Sequence, residues 1–292
     1  MKYQFSGHES FICKQFWLKR GYDFIKSKGS FTDESAVVEL GVGKNMVSSI
    51  SYWLKAFGIV DQNNKETALA AYLFDDRNGK DPYTETIGTL WLLHYELVKT
   101  GKASLYSIFF NEFRRGRTDF TKEQLAKFLV KFTEQDAKAN FNTLTSDITV
   151  FIRNYLVTTG SASKSDIEDD FSNLLIDLEL MRSYQMRNAE EKLVEWYTIE
   201  NSIRPDLPSS IVLYTILDNP YYTKSIPFRD LLTGKNGPGL VFALNEEGLY
   251  QKIEEITKEY RNITYKETAG VRELQIKGTI QKGDVLDAYY KN

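Results

Sequence analysis

The chain is 292 residues long, with 42% hydrophobic and 26% charged residues, six prolines and a net charge of −3. That balance suits a globular protein with a substantial core and excludes collagen-like, coiled-coil and disordered classes. One cysteine, Cys13, and two histidines exclude a disulfide framework and a cysteine-based zinc cluster, and the lack of a leader-like start or a membrane-length apolar run makes the chain read as cytoplasmic.

From the N-terminus, Trp17, Leu18, Tyr22, Phe24 and Ile25 recur at helical spacing, and Lys28-Gly29 is a stop. Thr32-Asp33-Glu34 then supplies a capping hydroxyl and first-turn acids for a short helix that ends at Gly41. After the Gly41-Val42-Gly43 turn, Met46, Val47, Ile50, Trp53, Leu54 and Phe57 form the apolar stripe of a third helix closed by Gly58. Asn45, Ser48, Ser49, Tyr52 and Lys55 are assigned to its opposite face, with Lys44 at its start. A polar turn at 61–65 and a helix capped by Thr67 complete the order of a winged helix-turn-helix. Such a third helix can lie in a major groove, where asparagine reads adenine, hydroxyls meet bases or phosphates, and lysines neutralise the backbone. Winged helices also serve as protein–protein modules, so double-stranded DNA is one of two partner classes for this one.

Further helices are predicted from Asp81-Pro82-Tyr83 to Gly101, from Ser104 to Phe113, from Thr121 to Phe132 and from Asn142 to Tyr155. Arg114, Arg115 and Arg117 fall in a loop between two of them, where they could clamp phosphate or simply be solvated. The small polar and acidic run 160–170 is the best linker. Beyond it, helices are predicted at Phe171–Met181 and Ser209–Leu217, a strand at Leu240–Leu244, and a helix capped by Asn245. Paired strands at 263–265 and 271–276 and a closing helix from about Asp284 to Tyr290 finish the chain. The expected fold is mainly α with small β wings: a winged helix-turn-helix domain at 1–78, a helical domain at 79–163 and an α+β, winged-helix-like domain at 164–292. Charge follows this order unevenly, with 8 basic against 5 acidic residues in 1–60 and 4 against 10 in 164–200. The basic module could touch a polyanion while the acidic segment faces solvent or a basic partner protein.

Several strings carry more than periodicity. Phe5-Ser6-Gly7-His8-Glu9-Ser10-Phe11, Leu40-Gly41-Val42-Gly43-Lys44-Asn45-Met46-Val47, Asp81-Pro82-Tyr83 with Gly88-Thr89-Leu90-Trp91-Leu92-Leu93-His94, and Gly237-Pro238-Gly239 occur in this order. Together they resemble the bacterial family of unknown function that includes the SspB protein of DNA phosphorothioation systems, over nearly the whole chain. Ser10 stands where that family more often has threonine, which keeps the hydroxyl. The resemblance implies a role in DNA modification and phage defence beside a phosphoadenosine-phosphosulfate-reductase-like sulfur-transfer protein, with DNA nicking as the associated activity. It names no catalytic residues. A non-enzymatic adaptor or transcriptional regulator that recruits the sulfur-transfer enzyme is the alternative.

Nicking a phosphodiester needs an activated nucleophile, charge neutralisation at phosphorus and usually Mg²⁺ or Mn²⁺ on carboxylates. His8, Glu9 and Asp81 are the catalytic candidates, and Asp75, Asp76, Asp81 and Glu85 the metal-ligating ones. The competing readings are a hydrogen-bonded structural histidine for His8 and a helix start for Asp81-Pro82. His94, between Trp91 and Tyr95 on an apolar helix, reads as a packed imidazole. No nucleotide cofactor is expected, because Gly41-Val42-Gly43-Lys44 lacks P-loop spacing and the 234–239 glycines lack a strand-to-helix context. Nucleophile-elbow, zinc-deaminase and metalloprotease motifs are missing as well.

Overall fold

The computed structural model describes residues 3–133, 140–157 and 173–291. They are mainly helical, with two small antiparallel sheets. The chain packs into two compact units, Met1–Phe109 with Asp119–Ile199, and Phe110–Thr118 with Glu200–Asn292. Among the described residues no helix is long and apolar enough to cross a membrane.

The first unit begins with α1 (Trp17–Lys26), α2 (Ser35–Glu39), α3 (Lys44–Ala56) and α4 (Ala68–Phe74). Three- and four-residue spacing puts Val47, Ile50, Trp53 and Leu54 of α3 into the core. The β wing expected around the 61–65 turn reduces to one bridge, Val60 with Glu66, and the Thr67 side chain accepts from the Ala70 amide to start α4. Helix α5 (Ile87–Thr100) is buried from Gly88 to Val98, which makes it the central helix of this unit, and Gly101 ends it at φ 64°. It begins five residues later than Pro82 suggests. The buried Asp81 carboxylate accepts from the Glu85 and Thr86 amides and the Thr86 hydroxyl, so 81–86 is a turn and Thr86 caps the helix.

Helices α6 (Ser104–Asn111), α7 (Lys122–Phe132) and α8 (Phe141–Tyr155) follow, α7 opened by a capping box between Thr121 and Gln124. Trp53, Trp91, Phe109, Phe151 and Tyr155 are fully buried, each contributing about 1.5–3 kcal/mol of transfer free energy or more. The expected linker 160–170 and residues 171 and 172 lie outside the described residues. The remainder of the helix expected at 171–181 is a short 3₁₀ turn, Ile176–Leu178, stopped by Glu179 at φ 45°. Residues 182–198, notable in the sequence for acidity alone, form a hairpin: β2 (Arg182–Arg187) pairs with β3 (Leu193–Thr198), which also pairs with β1 (Asp119–Phe120).

The second unit holds the 3₁₀ turn Phe113–Gly116, α9 (Ser209–Asp218), β4 (Ser225–Pro227), α10 (Phe228–Thr233), α11 (Pro238–Val241), α12 (Glu246–Glu259), β5 (Ile263–Thr268), β6 (Val271–Ile276) and α13 (Lys282–Tyr289). Its sheet has the order β4-β6-β5, with Leu274 opposite Ile226 on one side and Tyr265 on the other. Asn245 caps α12 through the Gly248 amide at 2.7 Å. Of the strand expected at 240–244, Leu240 and Val241 end α11, 242 and 243 turn, and only Leu244 makes a bridge, to Ser202, because Pro238 presets the first helical turn and an apolar run does not by itself distinguish a strand from a buried helix. Residues 110–118 are stitched to the C-terminal part: the Asn111 amide group donates to Asn236 Oδ1 at 2.9 Å, and Asn111 Oδ1 accepts from the Asn236 backbone N–H at 2.7 Å.

Candidate nucleic-acid interface

Gly41 adopts φ 55° in the turn from α2 to α3, a conformation that glycine takes at little cost. That turn sets Lys44 at the first position of α3. Lys44, Asn45 and Ser48 are exposed and Lys55 is partly so. Ser49 and Tyr52 correct the sequence assignment. Ser49 is fully buried and the Tyr52 ring packs edge-on against Trp53 at 5.2 Å, so both belong to the core side of the helix. Burial pushes the Tyr52 phenol far above its usual range, with the Asp147 carboxylate adding to the effect. The outward face available to a groove is therefore Lys44, Asn45, Ser48 and Lys55.

The opening loop rests on the inner side of this helix. Ser6, Glu9 and Ser10 all have positive φ, 58°, 48° and 65°, an unusual density of left-handed non-glycine residues that surrounding structure must hold in place. Asp147 of α8 does much of this, its two carboxylate oxygens accepting the Ser6 amide at 2.9 and 3.0 Å. The Trp53 indole donates to the Phe11 carbonyl at 3.1 Å. Gly7 is required by contact, since a Cβ there would lie 2.3 Å from the Tyr52 ring.

His8 is buried and stacks on Trp53, with ring centroids 6.1 Å apart. Its Nδ1 accepts from the Ser10 amide at 3.1 Å, so the lone pair is in use and the ring proton resides on Nε2. Nε2 lies 3.1 Å from Asp147 Oδ1, off the axis of a well-formed hydrogen bond. This arrangement suits His8 to holding the loop, not to taking a proton from water. Glu9 is exposed on the same loop. Asp147 escaped the sequence reading. Its signal is an acid on the buried face of α8 between Leu144, Ile148 and Phe151.

The four candidate metal ligands are committed separately. Asp75 accepts from the Arg77 and Asn78 amides, and these bonds, that from Asn78 foremost, hold its carboxyl below the usual range. Asp76 pairs with Lys19 at 2.6 Å, Asp81 caps its own turn, and Glu85 is exposed. Among the described residues no group of three His, Cys, Asp or Glu side chains is placed to hold a metal ion. These residues do not fit the expected Mg²⁺ or Mn²⁺ centre, because they are not grouped and because amides or a lysine already engage one oxygen of Asp75, one of Asp76 and both of Asp81. His94 Nδ1 lies 2.9 Å from the Tyr155 hydroxyl in the core, the packed imidazole expected.

The arginine cluster divides. Arg114 is buried and donates to the Leu240 carbonyl at 2.9 Å and to Asn201 Oδ1 at 2.6 Å. Arg115 is exposed, 3.6 Å from Glu112, and Arg117 lies over the Phe113 ring at 5.0 Å.

No curated protein matches the chain. Two solved structures share its fold along almost its entire length. The magnesium-ion-bound crystal structure of SspB is 25% identical and superposes with a TM-score of 0.82, covering 99% of this chain and 88% of that one. A second SspB crystal structure is 27% identical, with a TM-score of 0.80 and the same coverage. The model of the family described as a protein of unknown function, DUF4007, matches residues 5–290, and the chain belongs to that family.

Proposed function

We propose that this protein is a DNA-binding component of a bacterial DNA phosphorothioation and phage-defence system. In this reading α1–α3 and the 60–66 turn act as a winged helix-turn-helix within residues 1–78, positioning double-stranded DNA for a sulfur-transfer partner. The observation that carries the reading is the outer face of α3, where Lys44, Asn45, Ser48 and Lys55 stand on a helix whose other side is locked into the core. The whole-length likeness to SspB, at 25% and 27% identity, supports the system. The role proposed is binding and positioning; His8 serves the opening loop, and Asp75, Asp76 and Asp81 are engaged in separate local contacts, so nicking would call on other residues.

The test is a salt titration of duplex binding by the full chain and by Lys44→Ala/Lys55→Ala. Removing two phosphate contacts should flatten the slope of log K against log salt by about 1.8. An unaltered slope and affinity would overturn the assignment to α3. A wild-type chain that binds no duplex but captures the sulfur-transfer protein would make it the non-enzymatic adaptor.

A further inference from the structure

A separate cleft of about 460 Å³ opens in the second unit, with Arg114, Arg115 and Arg229 among its lining residues. Its walls also include Leu232, Leu240 and Leu244, a polar and apolar mixture of a size suited to a small organic ligand. The cleft is built rather than incidental. Gly239 closes it tightly, as a Cβ there would come within 2.2 Å of the Leu232 carbonyl oxygen. Arg114 is fixed at the Leu240 carbonyl and Asn201, which sets its planar guanidinium in one orientation.

The charge is strongly one-sided. Arg229 is exposed, and among the described residues no carboxylate pairs with it. The single acid in the lining, Glu246, already pairs with Arg272 at 2.5 Å. Arg115 lies 3.6 Å from the partly exposed Glu112, and its Nε donates to the Asn111 carbonyl at 2.5 Å. Burial, reinforced by the charge of Arg204, pulls Arg114 down to about 9. Three guanidinium groups around a pocket with apolar walls form the chemistry that recognises a tetrahedral oxyanion on an organic body.

We propose that this cleft binds a phosphate group, with Arg114 as the buried donor and Arg115 and Arg229 as the two exposed ones. The site uses residues of the second unit alone and does not depend on the α3 reading. The phosphate is either that of a free nucleotide or one in a DNA strand, two sources of the same chemistry.

Titration calorimetry of the full chain, first with inorganic phosphate against chloride at equal ionic strength, tests the site. Saturable phosphate binding is expected, weakened about tenfold or more in Arg115→Gln/Arg229→Gln, whose two positions are exposed and tolerate exchange. Lys44→Ala/Lys55→Ala should bind phosphate as the wild type does, so failure of this site and failure of the α3 reading give different patterns. Deoxyadenosine monophosphate and a 5′-phosphorylated tetranucleotide form the remaining arms. Tighter binding of the mononucleotide assigns a free nucleotide, and tighter binding of the tetranucleotide assigns DNA. Absence of saturable phosphate binding, or an equal affinity in the double arginine variant, overturns the proposal.

Discussion

Replacing Asp147 with alanine should release the opening loop. The substitution removes the acceptor of the Ser6 amide and the anion 3.1 Å from His8 Nε2. A hydrogen bond to a charged group contributes about 1.5–3 kcal/mol, and a buried polar group left without its partner costs about 1–3 kcal/mol. Because His8 is 3% exposed, water cannot readily replace the carboxylate, and the combined loss is about 3–5 kcal/mol. For a body of this size, that lowers the melting temperature by roughly 6–20 °C. The positive φ angles at Ser6, Glu9 and Ser10 would relax at the same time, since the contact that compels them is gone. Calorimetry reads the first effect and hydrogen exchange at the Ser10 and Phe11 amides the second. Asp147→Asn, which keeps an acceptor for Ser6, should lose about half as much. An alanine variant that melts within about 2 °C of wild type, with unaltered exchange, would refute the claim that Asp147 anchors the loop.

Two further predictions concern neighbouring elements. Gly7→Ala should destabilise by about 1–3 kcal/mol, since the new methyl meets a Tyr52 ring confined by His8 and Trp53, and an unchanged denaturation midpoint would show that the ring can move aside. At the 60–66 turn, the Lys65 amide foremost, with that of Asn63, holds the Asp61 carboxyl below its usual range. A depressed carboxyl gives stability that is present above its unfolded pKa and lost as pH falls through the folded value. The Asn63 and Lys65 amide resonances should therefore move only below about pH 4, and a transition at the ordinary aspartate pKa would sink the assignment.

Where local chemistry decided the outcome, the amino-acid string was legible. The α3 stripe, the Thr121 and Asn245 caps and the strands at 263–276 all follow from spacing or from a single capping side chain. The β2–β3 hairpin was not, because β2 is exposed throughout and offers no apolar alternation, while charge alone drew attention to the segment. Asp147 was invisible for a different reason. Its partners, Ser6 and His8, lie about 140 residues away, and no local pattern points to them. The face of α3 was partly misassigned because burial of Ser49 and Tyr52 depends on what packs beside them, which helical spacing does not encode. The arginines divided because successive residues of a 3₁₀ turn are rotated by about 120°, turning Arg114 inward and leaving Arg115 outside.

The stitching of residues 110–118 into the C-terminal half sets an order of events during synthesis. The first unit has all of its residues once Ile199 has emerged, before most of the second has been made. Asn111 must await Asn236, 125 residues later. At roughly 5–20 residues per second of translation, that wait lasts about 6–25 s. Throughout it, Asn111 and Arg114 are without the Asn236, Leu240 and Asn201 groups that they bond in the folded chain. A fragment beginning at Glu200 would lack it altogether, leaving the Leu240 carbonyl and Asn201 without the guanidinium that joins them. The C-terminal half is thus not a cassette that can be transplanted, expressed or lost by itself; it is completed by a piece of chain made seconds earlier.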